Sequence, residues 1–198
     1  MSILFLSIGS LRSIEDRGIY TDLLREFRNN GHNVYVVCPR ERRTKLPTEY
    51  VDEDGVRFLR VRTGNITKCN VFEKGITTLT IEHLFIRAIK KYLADVKFKL
   101  IIYSTPPITF EGVVRYIKNR DNARSYLLLK DIFPQNAVDL GLFGKRSLLY
   151  RYFRQKEKRL YRRADYIGCM SQANVDYVLK HNPELSADIV EVCPNSIE

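Results

Sequence analysis

A doubly wound α/β fold with a mostly parallel sheet, Rossmann-like in kind, is what this sequence predicts, on three observations. Short runs of contiguous apolar residues alternate with longer segments of helical periodicity, the layout of repeated strand-helix units. The runs are apolar at nearly every position rather than every second one, which marks strands buried on both faces. Charged residues appear where the runs stop, and open α/β sheets take their ligands at the carboxyl ends of strands. With 198 residues, 44% of them apolar, the chain suffices for one domain whose core needs no disulfide or metal.

Each element has its own warrant. Ile3–Ile8 is a buried first strand, and Gly18–Asn30 a helix with Ile19, Leu23, Leu24 and Phe27 on one face, closed by Gly31. Val34–Cys38 is a second strand, ended by Pro39, and Val56–Val61 a third. Residues 40–55 between them are polar and charged, an exposed excursion. Ile76–Leu93 carries Leu79, Leu84, Ile86, Ile89 and Leu93 at helical intervals. Leu100–Tyr103 is a fourth strand running into Ser104, Thr105, Pro106 and Pro107, and a helix over Thr109–Asn119 follows. The central strand is Tyr126–Leu129; Lys130 and Asp131 stand at its carboxyl end, and Pro134 suits the first turn of a helix. A basic helix over Arg146–Ala164, a short strand over 165–170 reaching Ser171, a helix to Lys180 and a strand over Ile189–Cys193 complete six or seven strands, the count turning on the linker from 40 to 75.

Composition excludes several classes. Ile3–Ile8 is too short and lacks the basic flank of a signal peptide, and no apolar run approaches the roughly 20 residues of a membrane span. Cys38, Cys69, Cys169 and Cys193 are scattered without a paired motif, as buried thiols in a reducing compartment are. The three histidines, His32, His83 and His181, lie apart from each other and from cysteine, so no metal-ligand spacing exists. The first strand-helix turn has only Gly9 and Gly18, not a dinucleotide fingerprint, and neither a phosphate loop nor a nucleophile elbow is present. No cofactor is expected in this chain.

The net charge of +10 is concentrated. Between Lys145 and Arg163 stand nine basic residues against the single acid Glu157, eight of the ten surplus charges. Leu149, Phe153, Leu160 and Ala164 share a stripe that faces the core, with Glu157 on it, which predicts a partner such as Arg for that carboxylate. Arg151, Arg154, Lys158, Arg159, Arg162 and Tyr161 are left for the outer surface, with Leu148 and Tyr150 exposed beside them. Such a surface suits an anionic membrane at its headgroup level. The same helix, with tyrosines interleaved, is the feature a nucleic-acid-binding domain would use, but its apolar positions follow the core stripe and the expectation is no nucleic acid.

The ordered set of Asn30-Gly31-His32-Asn33-Val34, Ser104-Thr105-Pro106-Pro107, Lys130-Asp131-Ile132-Phe133-Pro134-Gln135, the Glu157–Tyr166 segment leading to Ser171, and Pro194-Asn195 resembles the N-terminal half of a retaining glycosyltransferase of the two-domain GT-B type, family 4. More narrowly, it resembles the amino-sugar transferases of bacterial capsule and O-antigen assembly. The resemblance implies a nucleotide-sugar donor held mainly in a second Rossmann-like domain with an E-x7-E motif, and a lipid-linked saccharide acceptor held mainly in the first. Residues 1–198 are then a single domain, the donor-binding domain is absent from this chain, and the isolated fragment is expected to be inactive. The implied location is cytoplasmic, peripheral at the inner face of the plasma membrane. A non-catalytic membrane-docking subunit of a two-chain transferase is the other reading of the same features.

The resemblance assigns roles residue by residue. Lys130 and Asp131 are the catalytic candidates, positioning an acceptor hydroxyl or stabilising charge as the sugar leaves; helix capping by Asp131 is the plainer alternative. Arg17 and Gly18, where the family commonly has a glycine pair, line the cleft or form an ordinary loop. Ser104, Thr105, Pro106 and Pro107 shape the acceptor pocket while also making a rigid turn. Ser171 and Asn195 belong to the cleft, with Ser171 also placed to cap the helix that follows. Retention in this family does not rest on a conserved protein nucleophile, so no covalent residue is assigned.

Overall fold

The computed structural model describes residues 1–69, 71–105 and 108–195. Among the described residues, eight strands form one sheet in the order β3-β4-β2-β1-β5-β6-β7-β8. They are β1 (Ser2–Leu6), β2 (Asn33–Glu41), β3 (Glu49–Glu53), β4 (Val56–Thr63), β5 (Leu100–Thr105), β6 (Arg124–Leu129), β7 (Tyr166–Cys169) and β8 (Val190–Val192). Every neighbouring pair is parallel except β3 and β4. The doubly wound, Rossmann-like sheet is therefore the observed fold. Six α-helices among the described residues accompany it: α1 (Ile19–Asn29), α2 (Val71–Tyr92), α3 (Glu111–Asp121), α4 (Gln135–Asp139), α5 (Leu148–Arg163) and α6 (Gln172–His181).

The eighth strand, β3, comes from the stretch expected to be an exposed excursion. It pairs antiparallel with β4 through the two-residue loop Asp54-Gly55, whose φ values of 49° and 82° fit the turn that matches strand twist. As an edge strand it carries Glu49, Asp52 and Glu53, the charge that protects an edge from further pairing. Glu53 in turn pairs at 2.7 Å with Arg60, a buried side chain that also donates to the Arg12 carbonyl at 2.7 Å and so ties down the loop after β1. The long helix begins at Val71 rather than Ile76, and the basic helix at Leu148 rather than Arg146.

The two faces of the sheet are covered unequally. One face packs Leu4, Leu6, Ile101, Tyr103, Leu127 and Leu129 against Phe85 and Ile89 of α2, Val114 and Ile117 of α3, and Leu160 of α5. The other face has a smaller core, Ile3, Phe5, Val36, Phe58 and Ile102, with Leu24 of α1. Gly168 matters on this second face: a Cβ there would lie 2.5 Å from the Tyr126 hydroxyl and 2.6 Å from the Cys193 side chain. Its bareness lets the Tyr126 ring cross β7 and donate to the Glu191 carboxylate at 2.7 Å. No helix among the described residues is long and apolar enough to cross a membrane.

Candidate functional site

The chain reverses its direction across the sheet at β1: β2 lies on one side of it and β5 on the other. That switch opens a crevice at the carboxyl ends of β1 and β5, where open α/β sheets bind ligands. Arg17 is exposed in the loop after β1. Gly18 precedes α1, with φ of 168° and ψ of 152°, extended backbone that any residue adopts, and its amide donates to Asp22 at 3.4 Å. Its glycine identity is not required by conformation. Ser104 and Thr105 end β5 and are buried; Thr105 Oγ1 accepts the backbone N–H of Lys130 at 3.2 Å, tying the end of β5 to the end of β6. Pro106 and Pro107 lie outside the described residues.

Lys130 and Asp131 follow β6 directly and face a polar cleft of about 330 Å³. The cleft is walled by Gln135, Asn136 and Asp139 of α4 and by Asn174 and Tyr177 of α6. Burial lowers the Lys130 pKa, opposed by the Cys193 thiol, so its ammonium gives up a proton more readily than a solvated lysine. Asp131 is exposed and caps nothing: the residue before α4 is Pro134, with no side-chain cap bond. The capping alternative is thereby removed. Gln135 Nε2 donates to Asp139 at 2.6 Å, while Gln135 Oε1 and Asn136 Oδ1 are buried with no donor among the described residues. Both oxygens lie beneath the cleft surface, closed to solvent, and an unmet buried acceptor of this kind costs about 1–3 kcal/mol.

Lys130 also closes one end of a second cavity, an apolar groove of about 240 Å³ on the α1 face. Tyr20, Leu23 and Phe27 of α1 form one wall, Ile102, Tyr126 and Leu128 the floor, and Cys193, Pro194 and Asn195 the other wall. The groove follows from the unequal covering of the sheet. At its mouth burial raises the Tyr20 phenol pKa, against the effect of hydrogen bonding to Ser104. Asn195 therefore shares the groove with Lys130, whereas Asp131 faces only the polar cleft. Ser171 is exposed and acts as the cap of α6, accepting from Asn174 N–H at 3.3 Å; through that bond it orients the first turn of a helix that walls the cleft.

Sequence reasoning left Gln135, Asn136, Asn174 and Tyr177 without a role. Gln135 and Asn136 stood inside the central run, and their position six and seven residues past the end of a strand was the available signal.

The basic helix departs from its expected orientation in three places. Arg154 turns inward: its guanidinium donates to Glu157 at 2.6 Å, to the His181 carbonyl at 2.7 Å and to Asn182 Oδ1 at 2.8 Å, and its side chain is 18% exposed. Tyr161 is buried and donates to Glu157 at 2.9 Å, not on the outer surface. Leu149, assigned to the core stripe, is 49% exposed. The expected pairing of Glu157 is present; burial raises its pKa and Arg154 opposes that rise. Arg151, Arg159 and Arg162 are exposed, with Arg162 and Lys158 near Glu184 at 3.4 and 3.5 Å.

With this geometry in place, comparison with known proteins is direct. The model of Glycosyltransferase Family 4 matches residues 19–198. Among solved structures, one described as trehalose-6-phosphate from E. coli bound with UDP-2-fluoro glucose superposes with a TM-score of 0.61 at 9% identity, over 94% of this chain and 43% of that one. An OtsA apo structure superposes with a TM-score of 0.59 at 11% identity, over 93% of this chain and 43% of that one. The chain thus spans less than half the length of these structures, and the likeness is one of fold. No curated protein sequence matches it. A family match across nearly the whole chain, on a sheet that corresponds to one half of a GT-B enzyme, places this chain in glycosyltransferase family 4.

Proposed function

We propose that the intact enzyme transfers a sugar, an amino sugar or other hexose, from a nucleotide-sugar donor to a lipid-linked saccharide in capsule or O-antigen assembly, and that this domain is its acceptor half. The donor belongs to a second domain outside residues 1–198, so this domain alone is inactive in transfer. The observation that carries the reading is the polar cleft after β6. The amide side chains of Gln135, Asn136 and Asn174, the carboxylates of Asp131 and Asp139, and one lysine of lowered pKa line a space of about 330 Å³, room enough for a sugar. Saccharide hydroxyls donate and accept at close spacing, and amides with carboxylates answer both needs.

In this reading Asp131 accepts the hydrogen bond of the attacking hydroxyl and fixes its direction, which raises rate by orientation rather than by covalent chemistry. The ammonium of Lys130 stabilises negative charge as the donor's phosphate departs. Thr105 holds the Lys130 backbone in place, and Ser104 lies buried beside it at the end of β5. Arg17 stands on the loop across the crevice, where its fork suits a phosphate. A lipid-linked acceptor brings the reaction to the inner face of the plasma membrane, and the surplus of basic residues from 145 to 163 supports a peripheral association with anionic lipid.

The test is an assay of the intact two-domain enzyme against a panel of nucleotide sugars and prenyl-pyrophosphate saccharides. One donor-acceptor pair should turn over, and Asp131→Asn should lower kcat by about a hundredfold or more. Turnover of none, or an Asp131→Asn enzyme with unchanged kcat, contradicts the reading.

A further inference from the structure

Leu140, Leu142, Leu148, Leu149 and Tyr152 are 75, 70, 81, 49 and 43% exposed, and all five fall within one short stretch at the turn between α4 and α5. Single exposed leucines are ordinary, but a cluster of them on one projection is not. The turn is held in shape from beneath. Phe143 lies 6.3 Å from Phe133 and 6.3 Å from Phe153, and those two rings meet at 5.0 Å. Ser147 caps α5 by accepting from Tyr150 N–H at 3.1 Å, which fixes Leu148 as the first helical residue. Phe143 is thus the anchor, and Leu140, Leu142 and Leu148 are presented outward on a fixed frame.

Charge identifies what the tip fits. Lys145, Arg146 and Arg151 are exposed around the leucines, and no acidic residue occurs between Leu140 and Lys156. An apolar point ringed by cations matches the two layers of an anionic bilayer surface, acyl chains below and phosphates above. Farther along α5 most cations are engaged within the molecule, Arg154 by Glu157, Lys158 and Arg162 by Glu184 and Arg163 by Glu111, so docking is assigned to the tip rather than to the length of the helix.

We propose that the α4–α5 turn is a bilayer-docking site, in which Leu140, Leu142 and Leu148 insert at the headgroup level and Lys145, Arg146 and Arg151 contact lipid phosphate. The proposal rests on the membrane association proposed above and narrows it to one projection. Because α4 also walls the cleft, docking the turn would set the cleft close to the lipid surface, where a lipid-linked acceptor presents its sugar.

The chain contains no tryptophan, so Leu148→Trp provides a single indole reporter. With vesicles of phosphatidylcholine and phosphatidylglycerol, its emission should shift to the blue and be quenched by brominated acyl chains. In sedimentation, Leu142→Ser with Leu148→Ser should weaken vesicle binding by about tenfold or more, with an unchanged melting temperature. Lys145→Glu with Arg146→Glu should abolish the preference for anionic over neutral vesicles. An unshifted indole, or undiminished binding by the serine variant, overturns the proposal. So does a vesicle-free dimer that the serine substitutions dissociate, since it would assign the leucines to a second copy of the chain. Vesicle binding is measured without sugar transfer. Docking that persists in an enzyme inactive on every acceptor refutes the acceptor reading alone, and transfer to soluble acceptors without docking refutes the tip alone.

Discussion

The two halves of α5 continue one amphipathic stripe and have opposite fates. The C-terminal half buries Glu157, Leu160, Tyr161 and Ala164 at the end of α5 against the main core, while the N-terminal half leaves Leu148, Leu149 and Tyr152 in the open. Amphipathic periodicity alone does not distinguish them. What differs is the neighbour: α3 and the C-terminal end of α6 lie against the helix from Arg154 onward, while the turns before it meet the Phe133 and Phe143 rings at Phe153. An apolar stripe is buried only as far as another element extends to cover it.

That contrast can be broken most strongly in the C-terminal half. Leu160→Ala should lower stability by about 3 kcal/mol, the cost of lost burial plus a cavity at a fully buried site. Arg154→Met should cost about 2–3 kcal/mol, because it strands the Glu157 carboxylate and removes a cation from the carbonyls at the end of α6. Glu157→Gln should cost only about 1 kcal/mol, since the amide keeps a hydrogen bond to Tyr161 and burial already disfavours the charge. Denaturant melts of the three variants give these values, and equal losses would show that the pair is not the buckle between α5 and α6. In the N-terminal half, Leu149→Ser should stay within about 0.5 kcal/mol of the parent.

The start of β7 supplies a pH-dependent check. Burial raises the Asp165 pKa, but hydrogen bonds from Lys118 at 2.6 Å and from Ser125 outweigh it, and the carboxyl ends below its usual range. A depressed folded pKa contributes stability that is fully present above the unfolded value of about 3.9 and is lost as pH falls through the lower folded value. Melting temperature should therefore fall below about pH 4, and Asp165→Asn should make that fall shallower. An unchanged acid slope in the variant would locate the sensitivity elsewhere.

Most of the sheet was legible because contiguous apolar runs have few other uses. β3 was not, since its charges hid an edge strand. The Asp54-Gly55 pair between two strand-like segments was the available signal, as it demands two positive φ values that a hairpin provides. In α5, Tyr161 read as surface because its hydroxyl and basic neighbours look polar, yet a buried carboxylate four residues earlier gives that hydroxyl a partner. For the site, a strand end followed by Lys130-Asp131 was readable from pattern. Asn136 and Asn174 were not, because an amide facing a cleft and an amide facing water have the same sequence, and only the packing of α4 beside α6 separates them.

The central claim is that an acceptor saccharide binds in the cleft between α4 and α6, and amide chemical-shift perturbation tests it most directly. Titrated with a short-prenyl pyrophosphoryl N-acetylglucosamine, the chain should show its largest shifts at Lys130, Asp131, Asn136 and Asn174, and Asn136→Ala should remove them while the fold persists. Shifts confined to the apolar groove at Tyr20, Leu128 and Cys193, or none at saturating ligand, would contradict it.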